Sequence, residues 1–227
     1  MGFKRKQAAF DLLIVVLFIG LPMAIFGMMG WDLGAIKKIS NVYTRIGAIT
    51  LVQFASEGVA PILLLRYRGE SLKDYGVTTR RLVPSILLGI GFALLDMVVE
   101  FARSGRWLWI PLKRIWATEW SLTLPFPMSV LGVALVAVVW GFLEGFILIY
   151  ASKKINVITG TTGRHPLLLP GPYVVAVLNL LIHIGVGQNL AVVAWGLLGS
   201  YMITIIPELT ENAWGGMLLQ TLRNAVG

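Results

Sequence analysis

The 227-residue sequence is 57% hydrophobic and 13% charged, with no cysteine, two histidines and a net charge of +8. Soluble domains carry roughly 45–50% apolar and about 25% charged residues, so this chain has too little polar surface to face water on all sides. The missing cysteine excludes disulfides, thiolate metal sites and cysteine nucleophiles; basic residues scattered among loops, not gathered into one stripe, argue against nucleic acid and for anionic lipid headgroups as partners.

Lys4-Arg5-Lys6 leads into an apolar run that continues through Met28 without a small-residue cleavage site. It therefore reads as a retained first helix over 11–30 and not as a signal peptide. Further apolar runs follow at 46–65, 83–101, 127–151, 172–187, 189–206 and 213–226. Runs of about 20 residues cover a hydrocarbon core of about 30 Å at 1.5 Å per residue. Lipid offers no partner to a free backbone amide, which leaves helices or a closed barrel, and continuous apolarity without alternation excludes the barrel. The expected fold is all-α, a polytopic transmembrane bundle of about seven spans forming one membrane domain over 1–227. The last three runs are short, and Gly185, Gly187 and Asn189 make a tight hairpin between the fifth and sixth. These three are expected deep inside protein or as a re-entrant group.

Segments 1–10, 66–82, 152–171 and 207–212 together hold eleven of the nineteen Lys and Arg. The positive-inside rule then puts these segments, and the N-terminus, in the cytoplasm of a multi-pass protein. On the other side, Trp107-Leu108-Trp109-Ile110-Pro111-Leu112-Lys113-Arg114-Ile115-Trp116 mixes aromatic and basic residues as an interfacial segment does.

Polar side chains within spans are costly and usually face a cavity or a partner. Counted from the presumed cytoplasmic ends, Glu57, Glu144, His183, Gln220 and Asn224 fall at depths of roughly 10–17 Å, near the bilayer middle. Asn179 and His183 are four apart and share a helix face, as do Gln220 and Asn224. Gly141 and Gly145 flank Glu144 at a spacing that lets a neighbouring helix approach closely. Asp96 and Glu100 sit nearer the outer boundary, where interfacial water would solvate them.

The order of these residues resembles the CPBP group of membrane proteins, the CAAX-processing and bacteriocin-immunity proteins also called the Abi family. Its glutamate-pair helix is matched by Trp140-Gly141-Phe142-Leu143-Glu144-Gly145-Phe146-Ile147-Leu148, its Phe-xxx-His helix by Asn179-Leu180-Leu181-Ile182-His183, and its C-terminal His-xxx-Asn by Gln220-Thr221-Leu222-Arg223-Asn224. The lead-in Glu70-Ser71-Leu72-Lys73-Asp74-Tyr75-Gly76 and the stretch Trp195-Gly196-Leu197-Leu198-Gly199-Ser200 are also similar to family segments. The resemblance implies a CPBP-like region over 66–227 preceded by N-terminal helices over 1–65.

In active members, the resemblance implies, a glutamate and histidines activate water while an asparagine holds the developing oxyanion. Glu144, His183 and Asn224 retain that minimal set, with Glu57, Asn179 and Gln220 as pocket-lining neighbours. The set is reduced: Leu143 or Gly145 replaces the second glutamate, Leu148 or Ile149 the arginine, Asn179 the phenylalanine and Gln220 the second histidine. Glutamine can donate a hydrogen bond but cannot shuttle a proton.

The first expectation is therefore a non-catalytic CPBP-like accessory or scaffold subunit, whose inherited polar pocket serves a lipid or another membrane protein. A glutamate-dependent intramembrane protease of the CAAX type is the second. A tetrapyrrole- or pigment-binding subunit, with His183 as axial ligand, is the third. No metal site is expected, since His165 lies in a loop and one intramembrane histidine is not a cluster. Glu57 could replace the missing glutamate by facing His183.

Overall fold

The computed structural model describes residues 2–30, 33–105, 116–185 and 190–224, a few of them, His183 included, by their backbone alone. Among these residues every regular element is helical. Helix α1 (Phe3–Met28) and the short α2 (Leu33–Lys37) are followed by α3 (Val42–Arg68), α4 (Leu82–Ser104), α5 (Trp116–Leu122), α6 (Met128–Thr159), α7 (Pro170–Gly185), α8 (Leu190–Thr210) and α9 (Trp214–Arg223). Each of the seven apolar runs falls on one of these helices. Val42–Arg68, Leu82–Val99 and Met128–Thr159 are long and apolar enough to cross a membrane. The hairpin at Gly185, Gly187 and Asn189 falls largely outside the described residues, as does the interfacial segment up to Ile115.

Local sequence explains the ends. Gly69, Gly105 and Gly160 close α3, α4 and α6 in the left-handed conformation that lacks a steric penalty only for glycine. Asn41 caps α3 through its side chain, which accepts from the Thr44 amide at 3.0 Å. Two of the long helices carry a π-helical turn, Phe54–Gly58 in α3 and Ala137–Leu143 in α6. Such turns widen the helix locally and recur at functional positions.

Helix α9 sits at the centre, packed on α4, α6 and α8. With ten residues it spans about 15 Å, half a bilayer, so both its ends must be satisfied by protein. Asn212 does this at its start: the side-chain Nδ2 donates to the Thr78 and Arg80 carbonyls at 2.6 and 2.8 Å, and Oδ1 accepts from the Trp214 amide at 3.0 Å. Ser85 of α4 adds a hydroxyl that donates to the Asn212 carbonyl and accepts from the Gly215 amide. A methyl group at Gly215 would strike the Ser85 carbonyl, so glycine permits this contact between backbones.

The main apolar core gathers Leu64, Phe146, Tyr150, Ile203, Ile206, Met217 and Leu219, and a smaller one gathers Ile36, Ile49, Val52, Ala117 and Val136. Large apolar side chains remain uncovered along α1, α4 and α7, among them Val16, Leu87 and Leu181. Helix faces of that kind are suited to lipid and not to water.

Candidate functional site

The two π-helical turns face each other and bring two carboxylates into one place. Glu57 lies within the turn of α3, and Glu144 directly follows the turn of α6. Their charges interact, and Gln53 lies beside Glu57 one turn earlier. Oε2 of Glu57 is sealed from the surface and has no hydrogen-bond partner among the described residues.

Helix α9 supplies the other wall. The side chains of Gln220 and Asn224 both lie beside the Glu144 carboxylate. Asn224 Nδ2 also donates to the Trp140 carbonyl, at 2.6 Å, within the π-helical turn. This fit depends on the two glycines beside Glu144. A Cβ at Gly145 would lie 2.9 Å from Met217 Cα and 3.3 Å from Gln220 Cβ, and one at Gly141 would lie 2.8 Å from Thr221 Cβ. Any larger residue would push α9 off α6 and part Glu144 from the amides beside it.

Arg223, next to Asn224, extends the layer. Its Nε donates to Asp96 Oδ1 and its Nη2 to the Trp195 carbonyl, each at 3.3 Å, and its charge also acts on Glu144. Asp96 is thus a buried partner of an arginine and not a residue solvated at the outer boundary, as its position in the third span suggested. An arginine within the last apolar run was the available signal, because such a group needs an acid nearby.

The structure therefore brings Glu57, Glu144, Gln220 and Asn224 together and leaves Asn179 elsewhere. Asn179 Nδ2 donates to Ser200 Oγ at 2.7 Å across the seam of α7 and α8. His183 lies one turn further along α7, and its side chain is outside the described residues, so the tetrapyrrole expectation falls there too. Glu57 faces Glu144. Among the described residues no three histidine or acidic side chains gather as metal ligands. Chemically, paired carboxyl groups with amide donors can share a proton or, given water, provide a general base.

A second polar cluster, not anticipated from the sequence, lies at the end of the bundle where α1 begins. Asp11, 0% exposed, accepts from Arg68 Nε and Nη2 at 3.0 and 2.7 Å and from Lys154 Nζ at 2.8 Å. Lys154 also donates to Glu70 Oε1 and Oε2 at 2.9 and 3.0 Å, and the Tyr75 hydroxyl donates to Glu70 at 2.5 Å. Tyr75 and Tyr150 stack 4.9 Å apart, with Lys154 Nζ 5.2 Å from the Tyr150 ring centroid. Burial, reinforced by the hydrogen bond to Glu70, holds the Tyr75 phenol well above the ordinary tyrosine range. An aspartate at the start of the first apolar run and a lysine just beyond the end of the fourth were the sequence trace of this cluster.

No protein-family model matches the chain, and no curated protein or solved structure matches it either.

Proposed function

We propose that this chain is a seven-span, CPBP-like membrane protein that serves as a non-catalytic accessory or scaffold subunit for another membrane protein. In this reading the N-terminus and the Asp11 cluster face the cytoplasm. The observation that carries it is the engagement of the α9 amides: Asn224 donates to the Trp140 carbonyl, and Gln220 lies with it beside the Glu144 carboxylate. In a CPBP-like hydrolase the asparagine would have to be free to receive an oxyanion, and the residue at Gln220 would have to carry a proton. Here the same positions join α6 to α9. A polar layer so used fixes which helices meet, the best-attested role of buried polar groups.

One observation favours the second reading, an intramembrane protease. Glu57 supplies from α3 a second carboxyl beside Glu144, where the family-like motif lacks one, and its Oε2 is without a partner among the described residues. A cleavage assay on membrane-anchored reporters separates the two, using wild type, Glu57→Gln, Glu144→Gln and His183→Ala. Equal processing by all four is expected from the accessory subunit. Cleavage by wild type that is lost in Glu144→Gln would overturn it and establish the protease, with the Glu57→Gln result deciding whether the carboxyls act as a pair. A partner retained at fixed stoichiometry in mild detergent is the matching positive result.

A further inference from the structure

A cavity of about 680 Å³ opens at the Asp11 end of the bundle, between the start of α1, the turn Leu72–Tyr75, the second half of α6 and the loop that follows it. Its volume lies within the range of roughly 300–1,000 Å³ typical of small-ligand sites. Both signs of charge line it, and the balance depends on which charges are already engaged.

Each acid has a hydrogen-bond donor, but only Glu70 is paired with a cation; Asp74 and Glu208 face neutral donors and keep their charges. Glu70 is met by Lys154 and Tyr75. Asp74 accepts from the Ser71 amide at 2.7 Å, and Glu208 from Asn156 Nδ2 at 3.1 Å. Arg68 and Lys154 are held by Asp11.

Three cations take no ion pair of their own and outnumber those two charges by one. Lys153 Nζ donates to a neutral acceptor, the Asp74 carbonyl, at 3.1 Å. Lys4 and Arg164 are exposed at the cavity wall, and their side chains take no hydrogen bond or ion pair among the described residues. Two ammonium groups and a guanidinium around one opening match a phosphate, whose oxygens accept several charge-assisted hydrogen bonds at once.

The surroundings indicate where the phosphate comes from. Beside the lining residues Pro166 and Leu169, Leu167 and Leu168 stand 48% and 68% exposed, and Tyr67, next to Arg68, is 78% exposed. Apolar and aromatic side chains placed outward beside cations mark the depth of lipid headgroups.

We propose that this cavity binds a phosphate ester, carried by the headgroup of a membrane glycerophospholipid, with Lys4, Lys153 and Arg164 as its ligands and the acyl chains passing Leu167 and Leu168. The site is independent of the Glu57–Glu144 layer and stands whether or not that layer is catalytic.

The test uses the purified full chain in neutral detergent. Binding of dioleoylphosphatidylglycerol, dioleoylglycerol and glycerol 3-phosphate is measured by native mass spectrometry for wild type, the Lys4→Gln/Arg164→Gln double variant and Lys38→Gln. The double variant removes two exposed, unpaired side chains, so its circular dichroism melt should equal that of wild type. Lys38, exposed after α2 at the far end of α1, is the control for loss of a positive charge away from the cavity. Phosphatidylglycerol affinity should fall about tenfold or more in the double variant and stay unchanged in Lys38→Gln. Dioleoylglycerol, which lacks the phosphate, should bind weakly to all three proteins. Phosphatidylglycerol binding that is equal in wild type and the double variant would overturn the site. Glycerol 3-phosphate binding as tightly as the lipid, and weakened by the same substitutions, would overturn the lipid assignment and leave a soluble phosphate ester as the ligand.

Discussion

The Asp11 cluster gives the sharpest energetic test. Two acids and two bases are balanced there, and Asp11 accepts three hydrogen bonds while fully enclosed. Removing one member of a buried pair costs about 3–5 kcal/mol, mostly because the partner charge is left without compensation. Asp11→Asn keeps the shape but removes the charge. Arg68, with 16% of its side chain exposed, recovers some hydration, whereas Lys154 at 5% keeps only Glu70. The expected cost is about 2–4 kcal/mol. Lys154→Met puts an apolar chain beside Tyr75 and Tyr150 and leaves Asp11 with Arg68 and Glu70 with Tyr75, for about 1–2 kcal/mol. Each single variant unbalances the cluster, and the double variant restores balance. The double should therefore cost about 1–3 kcal/mol less than the sum of the singles. Equilibrium unfolding in mixed micelles titrated with dodecyl sulfate, followed by circular dichroism, measures all four proteins. Additivity to within about 0.5 kcal/mol would show that Asp11 and Lys154 do not act together and would refute the assignment of a coupled network.

Two further outcomes follow from particular contacts. Gly145→Leu must displace Met217 and Gln220, so it should destabilise by about 1–3 kcal/mol in the same unfolding assay; a variant as stable as wild type would place α9 farther from α6 than it lies here. Tyr75 has a phenol raised in the folded state, so its stabilising contribution is complete below the unfolded-state value of about 10 and is lost as pH rises beyond it. Tyr75→Phe should therefore abolish part of the alkaline loss of stability, and the tyrosine absorbance that fails to develop near pH 10 in the wild-type protein should shrink by one phenol in the variant. An unchanged alkaline slope in the variant would count against a buried phenol at this position.

The helices were legible because lipid leaves the backbone one economical solution, so apolar run length maps directly onto helix position. That Glu57, Glu144, Gln220 and Asn224 share one layer of the bundle was legible for the same reason, since a rise of 1.5 Å per residue turns sequence position into height. Direction around the helix was less so. Asn179 shares a face with His183 by spacing, yet Ser200 on α8 lies closer to hand and takes its hydrogen bond. The charged clusters were least legible. Arg68, Lys154 and Arg223 stand 57, 143 and 127 positions from the aspartates they meet, and no local pattern encodes a partner at that distance. The π-helical turns were likewise invisible, because an inserted residue in the backbone ladder changes no hydropathy pattern.

The placement of α9 links the two halves of this protein. A ten-residue helix with an arginine, a glutamine and an asparagine in its last turn cannot lie against lipid, because neither its polar face nor its termini would be satisfied. It is stable only where α4, α6 and α8 surround it and where Asn212, Ser85 and the loop before α4 complete its first turn. The same loop continues from Glu70, Asp74 and Tyr75, which line the charged cavity, and the Gly76 carbonyl accepts from the Ala213 amide at 2.8 Å. A ligand that draws on the cavity wall would thus pull on the segment that caps α9, and α9 in turn carries the amides that lie beside Glu144. The cavity and the carboxylate layer are joined by this short stretch of hydrogen-bonded backbone as well as by α6, which carries Lys153, Lys154 and Glu144, so Gly76–Arg80 and Asn212 form one of two routes for coupling between them. Asn212→Ala, which removes three of those bonds at a buried position, is the substitution that would weaken the loop route while leaving α6 and the residues of both sites intact.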